Sequence, residues 1–430
     1  MSLRRDGLLL AAGAVTALVA HAMLPRLRAA LRHYQVSAPS ATLRVDSSKL
    51  RAFVESVFIE CGVSRADAAE ASRVLVLADV RGIDSHGVAR LNAYYTMMKN
   101  GTINPTPNVR VVRETASTAT VDGDGGLGLI VGPAANRIAM EKASVAGSGW
   151  VSVKNTYHYG IAGAYSLAAL ERNMIGFSMT NSSCAVAPLW GREALLGTNP
   201  IAVAFPAARE RPVVVDFATS VVPLGKVEEC ARKGTLLADG WAIDSQGRPT
   251  TVPEAVLRGG ALRTLGGNFE HGGHKGYCLS AMVDVLCGVL SGGNWGPTVD
   301  GFTVESPSAS AAGSNDGTAP QAEHPPVGIG HFFGCLRIDG FRDTEAFKRT
   351  MDQWVGCMRG CAPVDAAQPV CVPGDPEWES TEEREKHGVP VKHTVLADLV
   401  DIANATGVPL PFDAHAIDLS QTRRVVVDHA

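Results

Sequence analysis

The sequence predicts an α/β fold, with a strand-and-helix middle flanked by helical N- and C-terminal segments. Three observations carry this. Between 151 and 206 a β-branched run, Val151 to Val153, breaks at a polar turn carrying His158. It then continues with helix spacing from Ala162 to Arg172 and returns as an apolar strand from Ile175 to Met179. Pro212 to Lys226 reads as another strand, closing at Asp216, with a helix starting near Ser220. Outside this middle, 46 to 73, 341 to 360 and 395 to 410 have the longer period of helices. In α/β proteins ligands sit at the carboxyl ends of strands. Here one end offers His158, and the other offers Thr180, Asn181, Ser182 and Ser183.

The chain has 430 residues, 46% hydrophobic and 19% charged, so a large core is affordable in one domain or two. A net charge of -4 argues against nucleic acid as a partner. The nine cysteines include no CxxC pair, and the nearest metal-like set, Cys357, Cys361 and Cys371, lacks the tight pairing of zinc sites. Reduced thiols and no metal are the expectation. Gly7 to Leu24 is apolar except for Thr16 and His21, with arginines on both sides. It reads as a membrane anchor with the body facing cytosol or matrix, as a mitochondrial leader, or as a buried helix; residues 1–40 are set apart from the fold on that basis.

In order, Ser47 or Ser48 can cap a first helix and Ser64 a second. The second delivers RGIDSHGVARLNAYY, 81–95, where helical spacing from His86 puts Arg90 and Tyr94 on one face. Arginine forks a carboxylate and histidine moves a proton, so this is an anion-site candidate, unless it is a helix with a solvated arginine. Gly123, Gly125 and Gly128 spell GxGxxG, but the strand that follows closes in Lys154 and Asn155 rather than in the acid a Rossmann site needs. The glycines are therefore read as a turn packed close to a neighbour. Asp216 can accept from ribose hydroxyls or simply cap a helix. Lys275 at a helix mouth suits a phosphate or carboxylate, or is only solvated. The helix it feeds, within GGHKGYCLSAMVDVLCGVLSGG, is apolar enough to be central to the core. Residues 303–322 form a polar, low-complexity surface loop; 328–339 return to the sheet; 372–388 read as a charged, exposed connector.

Seven segments in order resemble one family: RGIDSHGVARLNAYY, VSVKNTYHYGIAGAYS, GTNPIAVAFP, VVVDFATS, HKGYCLSAMVDVLCGVLSGG, GIGHFFGCLRID, and VPGDPEW with EREKHG. They resemble the malate/L-lactate dehydrogenase family, which includes L-sulfolactate, ureidoglycolate and 2,3-diketogulonate dehydrogenases and an imine reductase. The resemblance runs from about residue 46 to 412. It implies a non-Rossmann NAD(P)-binding α/β fold with a mixed sheet and a homodimer with its site near the subunit contact. It also implies an oxidoreductase moving a hydride between NAD or NADP and a small 2-hydroxy or 2-keto acid such as malate or lactate.

Carried over by position, His86 and His158 are the proton-transfer histidines, with His86 preferred as acceptor but either possible. Arg90 and Tyr94 bind substrate, with Thr198 and Asn199 in support. Asn181, Ser182, Asp216, Phe217, Ala218, His274, Lys275, Gly328 and Gly330 meet the cofactor. The implied division is 41–115 plus 335–430 as a helical substrate and dimerisation part, and 116–334 as the cofactor-binding part with a mobile insert at 303–322. Three stretches depart from the family: the leader, that insert, and Leu189-Trp190-Gly191-Arg192, which replaces a small glycine-rich turn. Two alternatives remain: a reductase of a cyclic imine carboxylate, and a catalytically idle nucleotide-binding relative.

Overall fold

The computed structural model describes residues 42–299 and 327–413. The apolar run at 7–24 and the stretch at 303–322, with the leader, anchor and insert readings attached to them, lie outside the described residues. The membrane assignment is corrected: among the described residues no helix is long and apolar enough to cross a membrane.

Strand β1 (Thr42–Val45) leads into helices α1 (Ser47–Glu60), α2 (Arg65–Val80) and α3 (Leu91–Lys99). Leu50, Phe53, Val54, Val57 and Phe58 recur at helical spacing on α1 and are all buried, each contributing about 1.5–3 kcal/mol by leaving water. Asp46, rather than Ser47 or Ser48, caps α1, accepting from the amides of Ser48 and Lys49; Ser64 caps α2 as expected. Next come β2 (Arg110–Glu114), β3 (Thr118–Gly126), α4 (Gly128–Ala146), β4 (Ser148–Thr156), α5 (Gly163–Ala168), β5 (Met174–Thr180), β6 (Ile201–Phe205) and β7 (Val213–Phe217). Helix α6 (Leu224–Lys233) begins at Leu224, not near Ser220. A small three-stranded sheet follows, β8 (Ala242–Ile243), β9 (Pro249–Thr250) and β10 (Ala261–Leu262), with α7 (Pro253–Leu257). The chain closes with α8 (Gly273–Asp284), β11 (Ile329–Arg337), α9 (Thr344–Arg359), α10 (Asp375–His387), β12 (Val389–Lys392) and α11 (His393–Thr406).

The main sheet is mixed, in the order β2-β3-β4-β11-β5-β6-β7. Neighbours β3 and β4 are parallel, joined by the α4 crossover. Strand β11, from far down the chain, inserts between β4 and β5 and runs antiparallel to both. The strand-turn-helix-strand unit of 151–180 thus keeps its direction, but its two strands are not neighbours. A Cβ on Gly128 would stand 2.3 Å from the Tyr157 carbonyl oxygen, and one on Gly123 2.8 Å from that of Asn155. The glycine run lets the β3 turn lie directly against the end of β4.

Three readings change. Strand β2 and the whole of β11 belong to this sheet, so the expected boundaries at 115 and 334 cut through it. Residues 375–387 form helix α10 and not a connector: Gly374 opens it at φ 101°, Pro376 sits in its first turn, and basic residues fill its last. Helix α8 and the π-helical turn that continues it, Val285–Val289, are not central to the core. Val283 and Cys287 pack with Phe332, but Met282, Val285 and Val289 are 41%, 51% and 53% exposed.

Candidate active site

Four of the predicted residues come together. Helix α2 ends against a double 3-10 turn, Asp84–His86 and Val88–Arg90, and regular helix resumes only at Leu91. The expected single face for His86, Arg90 and Tyr94 is therefore a kinked ribbon. It still delivers all three to the turn after β4. The Tyr94 hydroxyl lies 2.6 Å from Nδ1 of His158, and the His86 and His158 rings are 5.4 Å apart, centroid to centroid. The Gly160 amide, 3.3 Å away, also donates to His158 Nδ1. An amide can only donate, so Nδ1 accepts and the neutral ring carries its proton on Nε2. Burial raises the Tyr94 pKa, which keeps its phenol protonated as a second donor.

Arg90 holds its place by donating from Nε to the Ser85 carbonyl at 2.8 Å. Its charge acts on both histidines. His158 is pushed well below the usual 6.5 by burial, then by His86, Arg90 and His331. His86 falls to about 4 by burial and then by Arg90; the open edge of this half-buried ring limits that fall. The cluster is thus two neutral imidazoles beside a fixed cation.

The second strand end is closed. The Asn181 side chain is fully buried; it donates to Asp284 at 3.3 Å and the Asn294 carbonyl at 2.9 Å, and accepts from the Gly330 amide at 2.8 Å. Asp284 also takes the Gly296 amide with both oxygens. A Cβ on Gly330 would stand 2.1 Å from the Cys287 carbonyl oxygen. Asn181 and Gly330 therefore have packing explanations complete without a cofactor. The Ser182 hydroxyl accepts from the Thr198 amide at 3.0 Å, and Asn199, at φ 39°, accepts from the Ser182 amide while donating to Ser280. Thr198 supports this strand end rather than the histidine cluster.

The chain matches the sequence pattern of the malate/L-lactate dehydrogenase family over residues 45–400. It is 42% identical over 367 residues to the malate dehydrogenase of Pyrococcus horikoshii, covering 85% of this chain and 96% of that protein. The chain belongs to the malate/L-lactate dehydrogenase family. The solved malate dehydrogenase of Entamoeba histolytica superposes with a TM-score of 0.78 at 31% identity, covering 86% of this chain and all of that one. The family's range shows in a third relative, a Delta(1)-pyrroline-2-carboxylate/Delta(1)-piperideine-2-carboxylate reductase of Pseudomonas putida, 34% identical over 60% of this chain and 75% of that protein. As a member of this dehydrogenase family the protein is an oxidoreductase.

The remaining predicted residues of this family member lie at the end of β7, at the mouth of α8 and just before β11. Asp216 accepts from the Gly163 amide at 2.8 Å, so it caps α5 and not the helix that follows it. It lines a recess of about 450 Å3 with Phe217, Arg81, Gly374 and Glu377. Packing around the carboxyl raises its pKa to about 6 despite the Gly163 amide and Arg81, and because the residue as a whole is exposed at the recess, water moderates that rise. Lys275 is exposed at the mouth of α8, and His274 Nδ1 is enclosed without a hydrogen-bond partner. That mouth is tied to the segment after β7 through the Leu265 amide on the Thr219 carbonyl, 2.8 Å. Phe269 tilts against His274 at 5.1 Å and stacks on Trp190, which is 83% exposed. Gly328, at φ 64°, would set a Cβ 2.0 Å from the Thr156 carbonyl oxygen.

Sequence reasoning missed Asp79 and Arg384. Asp79 is buried, accepts from the Val88 amide at 2.8 Å, and fills the space where a Cβ on Gly87 would stand. Arg384 of α10 donates to the Asp79 carbonyl at 2.6 Å and pairs with Asp84. Together they brace the turn that carries His86. The available signal was an acid on the buried stripe of α2, with Ala68, Ala71, Ser72, Leu75 and Val76.

Proposed function

We propose that this protein is an NAD(P)-dependent dehydrogenase of a small 2-hydroxy acid, working reversibly on the 2-keto acid. The observation that supports this most is the cluster itself: two imidazoles held neutral beside one arginine. When bound, the nicotinamide supplies or takes the hydride at C2. Arg90 pairs with the substrate carboxylate, as a guanidinium does best. His158 donates from Nε2 to the substrate oxygen, its tautomer fixed by Tyr94 and Gly160. His86 takes the hydroxyl proton, and returns it in the reverse direction.

The residues fit a dinucleotide's chemistry. Asp216 offers an accessible carboxylate to ribose hydroxyls, His274 an enclosed nitrogen with no protein partner, and Lys275 a cation at a helix N-terminus. Ser182, Phe217, Ala218 and Gly328 complete the proposed contacts. Asn181 and Gly330 hold the strand end from behind. In this reading the dinucleotide is bound without a Rossmann glycine turn, a reading supported by the close packing of Gly123, Gly126 and Gly128.

The N- and C-terminal helical parts form the proposed substrate side, a reading supported by the pairing of β1 with β12, and the dimer contact is placed instead on the cofactor-binding part. The chain works as a homodimer, for which the exposed Met282, Val285 and Val289 face is the candidate surface. Light scattering reads this directly: a dimer that Val285→Asp makes monomeric is the expected result, and a monomeric parent refutes it.

The decisive experiment is a panel of 2-keto acids and cyclic imine carboxylates with NADH and NADPH. Turnover of a keto acid such as oxaloacetate or pyruvate is expected. Turnover of cyclic imines alone would move the reading to the reductase, and no nicotinamide oxidation with any of them would overturn it.

A further inference from the structure

A third imidazole stands behind the two already described. His331, on β11, is fully buried where the ends of β4 and β5 converge, and its register partner is Thr180. Its Nδ1 lies 2.8 Å from the Thr180 hydroxyl oxygen. That hydroxyl has a single proton and two carbonyl acceptors, Gly330 and Asn181, both at 2.9 Å. The hydroxyl proton goes to a carbonyl, so toward His331 the oxygen accepts and the ring is the Nδ1–H tautomer. The other nitrogen, Nε2, is enclosed and has no hydrogen-bond partner. On its face the ring lies nearly parallel to Tyr159, 4.4 Å between centroids at 13°. Tyr159 stacks in turn on Tyr165 at 4.7 Å and follows His158 in the chain.

We propose that His331 is a positioning residue for His158: its ring ties the end of β5, through Thr180, to the turn that carries His158, through the face of Tyr159. Two features favour this over a plain core residue. A buried imidazole with one nitrogen unpaired is costly, and a phenylalanine would fill the same space without that cost. The ring also spans the two strand ends, which no regular backbone pairing joins directly because β11 lies between them; to the bond of the Ser178 hydroxyl on the Tyr159 hydroxyl, 3.2 Å, it adds the tie at Thr180. The bare Nε2 can only accept, and an enclosed acceptor of this kind suits an ordered water. Burial lowers the His331 pKa to about 3, against the Gly330 and Tyr157 backbone, so the ring is held neutral.

The inference rests on the dehydrogenase reading for its kinetic arm but not for its spectroscopic one. His331→Phe keeps the stack and removes the link to Thr180; Thr180→Val removes the same link from the other side. Each is expected to lower kcat on the order of 10- to 100-fold with KM little changed, as displaced reacting groups do. The double variant should be no worse than either single one, since one link is lost in all three. In 15N-histidine NMR the parent should show His331 as the Nδ1–H form and His158 as the Nε2–H form, and both variants should blur the His158 tautomer. If no substrate is turned over, the function fails while the NMR arm still decides the positioning. Parental kcat together with an unchanged His158 signal in both variants would overturn the proposal.

Discussion

The two strand ends of the sheet differ in how their hydrogen-bonding groups are used. At the end of β5, Asn181, Asp284, Asn294 and Gly330 are matched to one another and sealed from solvent. At the end of β4, His158 shares one nitrogen with Tyr94 and Gly160, next to a half-buried His86 and a cation. A saturated polar network can only hold shape, whereas neutral imidazoles beside a guanidinium can take a carboxylate and a proton. The first region fixes geometry, and the second holds the groups to which the proposed chemistry is assigned.

That contrast breaks most visibly at the histidines. His86→Ala and His158→Ala should each cut turnover at saturating substrate on the order of 100-fold or more while leaving the fold intact by circular dichroism. Arg90→Ala should act next, raising KM for acid substrates by about 10-fold or more, as lost carboxylate pairing does. At the sealed end the effect should appear in stability. Asn181→Leu leaves the Gly330 amide without its acceptor and should cost about 1–3 kcal/mol in denaturant unfolding. The smallest effect belongs to Trp190, whose exposed ring touches Phe269: Trp190→Gly should leave stability within about 0.5 kcal/mol, and any change should appear as altered preference for substrate size.

Much of this was legible in residue order. The β-branched runs, the amphipathic helices and the polar turns marked both strand ends, and the close approach at Gly123 and Gly128 is the packing expected of that turn. What the chain order hid was non-local. Strand β11 inserts between strands more than 150 residues upstream, and no local pattern announces such a partner. For that reason His331 read as one more strand residue although it touches both ends. Asp79 was hidden differently: as an acid near a helix terminus it resembles a solvated charge, and only its place on the buried stripe sets it apart. The kink at Gly87 went unseen because i+4 spacing cannot distinguish a helix from two short 3-10 turns.

The central claim is that a histidine held neutral by its surroundings accepts the substrate proton. The pH dependence of kcat/KM for 2-hydroxy acid oxidation, at saturating cofactor, tests it most directly. Oxidation needs the unprotonated ring, so the rate should rise with pH through the histidine pKa. Burial and Arg90 lower that pKa toward about 4, which puts the acid limb well below the ordinary 6.5. Arg90→Ala should move the limb upward. A limb at or above 6.5 in the parent, unmoved by loss of Arg90, would contradict the account.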